Sequence, residues 1–143
     1  MKIRKAKKSD FKEIARLIRT EYKKHYNENW TEENAIKTLK YYKKIAKIFI
    51  AEKEKGAIGF VIFREEHYNK SKSIMIEELI VDSRSQGKGI GREIMDFVEE
   101  YSRKNKANFI WLLASKKARA FRFYRNIGYK YNAGTAYLSK ELK

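Results

Sequence analysis

The chain has 143 residues, enough for a single domain with a substantial core and too few for two comfortable ones. It carries 34 Lys and Arg against 18 Asp and Glu, a formal net charge of +16, and no cysteine, which excludes disulfides, thiolate metal sites and a cysteine nucleophile. No apolar run is long enough to span a bilayer, and Met1-Lys2-Ile3-Arg4-Lys5 leads into a polar helical pattern rather than a secretory leader, so the expected location is the cytoplasm.

Such a field favours anionic partners: nucleic acid, an anionic membrane surface or a polyphosphate ligand. A lysine-rich, heat-adapted composition gives the same balance with no partner at all. The basic residues run from Lys2 to Lys143 and are not gathered into one arm.

Ile3 to Lys5 reads as a short strand. Asp10 then offers an N-cap with Glu13 as its capping-box partner, and Phe11, Ile14, Ala15 and Ile18 recur at helical spacing, giving a helix from about Asp10 to Tyr22. Thr31 caps a second helix whose buried stripe is Ile36, Leu39, Tyr42 and Ala46. Ile48 to Glu52 and Ala57 to Arg64 flank a hairpin loop, Lys53-Glu54-Lys55-Gly56. A polar stretch, Glu65 to Lys72, separates them from a third strand, Ser73 to Val81. Three consecutive antiparallel strands are expected.

A helix follows from about Gly89 to Lys104, then a buried-looking strand, Asn108 to Ala114. Ala120, Phe123, Tyr124 and Ile127 mark a last helix, closed by Gly128 as a C-cap glycine. Tyr129 to Asn132 and Thr135 to Lys140 read as a closing hairpin around Ala133-Gly134. The order is that of one α/β (α+β) domain over residues 1–143, a mixed sheet with helices on its faces.

Three of the seven glycines fall within five residues, in Gln86-Gly87-Lys88-Gly89-Ile90-Gly91. This turn joins a strand to an amphipathic helix, an arrangement that aims backbone N–H groups and the positive helix end at one point. It is not a P-loop, because Gly91 is followed by Arg92 and Glu93. It is not a dinucleotide fingerprint either: position 92 is Arg, and no acidic residue lies about twenty positions on. What remains is Q-x-x-G-x-G at Gln86, Gly89 and Gly91.

In this strand–turn–helix setting the chain resembles the GNAT superfamily of N-acetyltransferases, whose pyrophosphate loop reads [QR]-x-x-G-x-[GA]. Glu78-Leu79-Ile80-Val81 before the loop supports the likeness. So does Ala120-Phe121-Arg122-Phe123-Tyr124-Arg125-Asn126-Ile127-Gly128-Tyr129, which is similar to the family's A-x-x-x-Y-x-x-x-G-[FY] segment. The opening Ile3-Arg4-Lys5-Ala6 is similar as well, so the resemblance runs from Lys2 to Leu142. Two positions depart from the pattern: Ser83 stands where the family often has proline, and Lys117 where it often has asparagine.

The resemblance implies a mostly antiparallel sheet of six to seven strands with about four helices, and acetyl-CoA as cosubstrate without a metal. It implies that the amides of Gly87, Lys88, Gly89, Ile90, Gly91 and Arg92 surround the pyrophosphate behind Gln86. Leu79, Ile80 and Val81 would present backbone groups to the pantetheine arm, with the Val81 amide facing the thioester carbonyl. Lys117 could reach an anionic group of the cofactor.

The acceptor amine has to lose a proton before it attacks. Glu77 and Glu78 are the candidate bases. Successive strand residues point to opposite faces, so only one can address the acceptor, and Glu77, four before Val81, is preferred by likeness to the family. The resemblance makes Tyr124 the general acid, protonating the leaving thiolate; the alternative is that it packs in the core with Phe123 and Ile127.

Tyr22, Tyr26 and Trp30 lie between the first two helices, where the family builds much of its acceptor pocket; they line a substrate site or cover the core edge. His25 and His67 read as solvated surface, without metal-ligand spacing. Relatives are thought to dimerise through the last strands, and Thr135 to Lys140 is compatible with that. The expected activity is acetyl transfer to a primary amine, on a small molecule or a protein. The alternative is a non-catalytic module of the same fold that holds CoA or nucleic acid, although no RNA-binding consensus or helix-turn-helix spacing is present.

Overall fold

The computed structural model describes residues 1–54 and 56–143. Residues 1–112 form one compact unit and residues 113–143 a second.

The first unit is built on a five-stranded sheet in the order β1 (Lys2–Lys5), β2 (Lys47–Lys53), β3 (Gly56–Tyr68), β4 (Ser71–Val81) and β5 (Phe109–Leu112). The first four strands are antiparallel neighbours, and β5 joins β4 in parallel. Helices α1 (Phe11–Tyr26) and α2 (Glu32–Ile45) connect β1 to β2, and α3 (Ile90–Lys104) is the crossover between β4 and β5. A parallel pair needs such a crossover, because a tight turn can only reverse the chain.

Alternation along the strands sorts the core into two layers. Ile48 and Ile50 of β2, with Phe60 and Ile62 of β3, bury themselves against Phe11, Ile14, Leu17 and Ile18 of α1 and Leu39 of α2. Phe49 and Phe63 point the other way: their rings stack at 5.7 Å, and both meet Tyr101 of α3.

Several expected boundaries move, each for a local reason. Asp10 does not cap α1. It ends a 3-10 turn over Lys8–Asp10, accepting the Lys7 N–H at 2.7 Å and a forked pair of bonds from Arg4 at 2.9 Å each. Glu13 is no capping-box partner, since its Oε1 accepts the Ala57 N–H of β3 at 2.8 Å. Helix α1 continues a turn past Tyr22 and stops at Asn27, which adopts a left-handed conformation with φ of 52°. Thr31 caps α2 as expected, accepting from the Asn34 N–H at 3.0 Å.

The polar stretch at 65–72 is strand rather than loop, except at its turn. Glu65 pairs with Ile74 and Tyr68 with Ser71 around Asn69-Lys70, because its charges find partners: Arg64–Glu66 at 2.8 Å and Lys72–Glu65 at 3.5 Å. Of the hairpin loop at 53–56, Lys53 pairs with Gly56 and Lys55 lies outside the described residues. β5 is shorter than expected and is not buried; it closes one end of the sheet, and Phe109 is 54% exposed.

The second unit contains α4 (Arg119–Asn126). Gly128 follows it with φ of +100°, and the Tyr129 N–H returns to the Tyr124 carbonyl at 2.9 Å, a left-handed helix exit. The expected closing hairpin is absent: no strand forms in residues 129–143. The Gly134 N–H is taken by the Asn132 side chain at 2.9 Å, a local side-chain turn that competes with a strand ladder. Among the described residues the sheet therefore has five strands, not six or seven.

Candidate active site

Val81 ends β4, and residues 82–89 carry the chain to α3. Gly87 and Gly89 have φ of +77° and +79°, and a Cβ built at either meets nothing within 4 Å. The glycines are thus required by backbone conformation, not by crowding from the protein itself. The open space in front of them is where a ligand would have to come close. Gly89 is the N-cap of α3 and gives no side-chain cap, so the first-turn amides of Ile90, Gly91 and Arg92 face outward without one. Open backbone donors, a helix N-terminus and the exposed Lys88 and Arg92 fit a diphosphate.

The Gln86 side chain turns inward. Its Nε2 donates to the Val81 carbonyl at 2.8 Å and to Glu21 Oε1 at 3.3 Å. Asp82 holds the turn over Ser83–Ser85 by accepting from the Arg84 N–H at 3.0 Å; the Arg84 guanidinium keeps this carboxylate below its ordinary range.

Pairing between β4 and β5 ends at Ile76 and Leu112, so residues 77–81 of β4 have no β5 partner. The Asp82 N–H donates to the Ile58 carbonyl at 2.8 Å. Amide directions alternate along a strand, so Val81 and Leu79 turn their N–H groups to the free edge, while Ile80 turns its own toward β3. Two of the three residues expected to present backbone groups thus present them at this edge, and Ile80 contributes to the core with its side chain.

A β-bulge interrupts the β3–β4 ladder here. Ile62 pairs with Glu78 and Phe63 with Ile76, leaving Glu77 as the extra residue. The bulge overturns the expectation that Glu77 and Glu78 face opposite ways. Glu78 accepts a hydrogen bond from the Tyr22 phenol of α1, and Glu77 accepts one from the Tyr42 phenol of α2 at 3.3 Å. Both carboxyls therefore meet the helical layer that α1 and α2 form.

Their environments differ. Glu77 is bound by Arg64, Nε to Oε1 at 2.6 Å. Glu78 has no cationic partner among the described residues, and burial pushes its carboxyl up to about 7. The Tyr22 bond opposes that rise, and the charges of Glu77 and Glu28 add to it. Burial, with the Glu78 charge behind it, raises the Tyr22 phenol well above its usual range, so Tyr22 stays a donor.

The aromatic residues gather beside this pair. Tyr22 lies 5.4 Å from Tyr26 and 5.7 Å from Trp30 between ring centroids, and the Trp30 indole donates to Glu28 at 2.7 Å. The signal for Tyr22 was its place, with Tyr26 and Trp30, between the first two helices. Helical spacing turned Tyr42 inward without naming its partner, and nothing in sequence spacing pointed to Arg64 or Glu21 as partners of this site.

His25 is exposed, as expected, and its Nε2 lies 3.2 Å from Glu21 Oε1. His67 is exposed, as expected. Among the described residues no group of three His, Asp or Glu side chains is placed to hold a metal.

In the second unit Tyr124 is buried, its ring against Phe123 at 5.0 Å and Tyr129 at 5.5 Å. Lys117 is exposed at the turn before α4, its N–H donating to Ser115 Oγ at 3.3 Å.

The family model of the acetyltransferase (GNAT) family matches residues 11–129. Solved structures share the fold. A possible acetyltransferase from Clostridium difficile 630 superposes with a TM-score of 0.86 at 15% identity, covering 99% of this chain and 98% of that one. A transcriptional regulator from Bacillus halodurans C-125 gives 0.81 at 21% identity, with 99% of each chain covered. The ribosomal-protein-alanine N-acetyltransferase of Brucella melitensis biovar Abortus 2308 gives 0.81 at 18% identity over 98% of each chain. No curated protein matches in sequence.

Proposed function

The chain belongs to the acetyltransferase (GNAT) family, and from that premise we propose that it transfers the acetyl group of acetyl-CoA to a primary amine by direct attack. The observation that carries this reading is Glu78, a carboxyl held near 7 without a cationic partner among the described residues, three residues before the Val81 amide at the free edge of β4. The family match crosses both compact units, so residues 1–143 are read as one functional domain.

Acetyl-CoA, when bound, supplies an activated acyl group as its thioester. The amides of residues 87–92 hold its diphosphate, with Lys88 and Arg92 adding charge. Leu79 and Val81 bind its pantetheine arm as an added strand would be bound. The Val81 N–H donates to the thioester oxygen as negative charge builds there, and one such donor is worth roughly 3 kcal/mol in comparable sites.

An alkyl ammonium with pKa about 10.4 must give up a proton before it attacks. Glu78 takes it on its carboxylate, directly or through a water. Glu78 is preferred here to Glu77, because the Arg64 guanidinium already donates to Glu77 Oε1 at 2.6 Å, whereas Glu78 has no cationic partner among the described residues. Tyr124, placed by its motif, gives its phenolic proton to the departing thiolate, and Lys117 meets an anionic group of the cofactor. The ring cluster of Tyr22, Tyr26 and Trp30 lines the acceptor side.

The test is calorimetric titration of the protein with acetyl-CoA, followed by an amine panel read by released CoA thiol. The expected result is saturable acetyl-CoA binding and amine-dependent thiol release. Tight binding of duplex DNA at physiological salt with no acetyl-CoA binding would favour the non-catalytic alternative and end the enzyme reading. Among the described residues no helix is long and apolar enough to cross a membrane.

A further inference from the structure

Glu21 is 4% exposed, the most deeply buried of the acidic residues, and the chemistry above makes no use of it. It sits on α1 and reaches into the segment that leads from β4 to the glycine turn. Its Oε2 accepts the Ser83 N–H at 3.1 Å. Its Oε1 accepts the Ser83 hydroxyl at 2.5 Å and the Gln86 amide at 3.3 Å. His25 approaches the same oxygen at 3.2 Å.

We propose that Glu21 is a positioning residue for the diphosphate loop: it fixes Ser83 and Gln86, and through them the conformation in which residues 87–92 present their amides. The inference rests on the reading of that loop as the acetyl-CoA site.

Three observations carry it. No side chain stands against Gly87 or Gly89, since a Cβ built at either meets nothing within 4 Å. The turn is held at its far end by α3, whose Ile90 is buried, and on the β4 side by its first residues. Of these, Gln86 donates from its one Nε2 to both the Val81 carbonyl and Glu21 Oε1, so a single side chain links the end of the base-bearing strand to Glu21. Finally, Ser83 stands where the resembling pattern often has proline, which would supply neither an N–H nor a hydroxyl. Here both groups donate to Glu21. A buried carboxylate and a serine thus take over the stiffening that a proline ring would give.

Glu21 also precedes Tyr22, the hydrogen-bond donor to Glu78. One turn of α1 therefore touches both the loop and the base, but the two contacts are separable by ligand.

The experiment compares wild type, Glu21→Ala and the isosteric Glu21→Gln for binding acetyl-CoA and S-acetylpantetheine, which lacks the diphosphate. Charged hydrogen bonds of this kind set the expected loss of acetyl-CoA affinity at about ten- to a hundred-fold for Glu21→Ala, with S-acetylpantetheine unchanged. Glu21→Gln keeps the volume and one acceptor oxygen, so a smaller loss with the same ligand selectivity is expected, and it remains readable should Glu21→Ala not fold. Equal weakening of both ligands in the variants overturns the inference, as does no weakening of either ligand in the variants when the wild type binds acetyl-CoA. A wild type that fails to bind acetyl-CoA overturns the cosubstrate reading first and this inference with it.

Discussion

The phenol of Tyr22 on α1 donates a hydrogen bond to Glu78 on β4, joining residues 56 positions apart. Two opposed effects meet at that carboxyl. Burial favours the protonated acid, and the phenol favours the anion. A buried carboxyl without a donor would hold its proton too firmly to be emptied at neutral pH. A solvated one would be too weak a base. The balance near 7 matches a group that must accept a proton and release it again in each cycle.

Glu78→Gln should lower kcat/KM for a responsive amine by about 100-fold or more, the usual range for losing a general base. Glu77→Gln should cost far less, since it removes a partner of Arg64 and Tyr42 and not the proton acceptor. Thiol-release kinetics on both variants decide between them. A large loss in Glu77→Gln with near-normal Glu78→Gln would return the base role to Glu77.

The titration of Glu78 gives a pH dependence with a defined sign. Activity needs the carboxylate, so kcat/KM should rise with pH through about 7 and level off above it. Tyr22→Phe deletes the bond that stabilises the anion, so the midpoint should move to higher pH. Stability runs the other way. The folded state holds this proton to about 7, against 4.5 for an ordinary glutamate, so it binds more protons than the unfolded chain between those values. Stability from this group is full below about 4.5 and falls as pH rises to about 7, by roughly 1 to 3 kcal/mol. Glu78→Gln should flatten that part of a Tm-against-pH curve. A wild-type profile that is level from pH 5 to 8 in both activity and Tm would rule out a raised Glu78.

Most of the fold was legible because it was written in local periodicity. The stripes of α1 and α2, the apolar strands and the glycine turn all declare themselves within ten residues. The site was only half legible. Glu77 and Glu78 stand side by side in sequence, but their relative direction depends on a bulge opposite Ile62 and Phe63, a feature of cross-strand register. Glu21 reads as one more polar residue near the end of a helix until Ser83 and Gln86 fold back onto it. The pattern at 129–140 failed for the opposite reason: alternation alone suggested strands, and nothing in the described structure pairs with them.

Gly89→Ala should weaken acetyl-CoA binding more than it destabilises the protein. With φ of +79°, the left-handed conformation costs a Cβ-bearing residue about 1–2 kcal/mol, yet the added methyl meets no protein atom within 4 Å. The methyl instead occupies the open space ahead of the loop. Thermal unfolding and acetyl-CoA titration on the same sample separate the two effects. A drop in Tm with unchanged affinity would mean that the ligand approaches elsewhere.

Gly59 is a different case, constrained by space rather than by φ. It pairs with Val81, and a Cβ there would come within 2.8 Å of the Ile80 carbonyl and 3.2 Å of Ile94 Cδ1. The carbonyl belongs to the ladder and cannot swing aside as a side chain could. Gly59→Ala should therefore push the end of β4 away from β3, lowering Tm and displacing the Val81 amide. The expected outcome is a fall in kcat beyond what the Tm loss explains. Normal turnover in a folded Gly59→Ala protein would argue against Val81 as the donor to the thioester oxygen.

Tyr124 is the last of the assigned groups, and its test has to separate chemistry from packing. Its ring is buried against Phe123 and Tyr129, so removing the whole side chain would disturb the second unit. Tyr124→Phe keeps the ring and deletes only the hydroxyl. If the hydroxyl protonates the leaving thiolate, kcat should fall about 100-fold while the Kd for acetyl-CoA changes less than about threefold. The loss should shrink with an acyl donor whose thiol is more acidic, because such a thiolate departs without help. An equal loss with both donors would show that the hydroxyl serves the structure of α4 and not proton delivery.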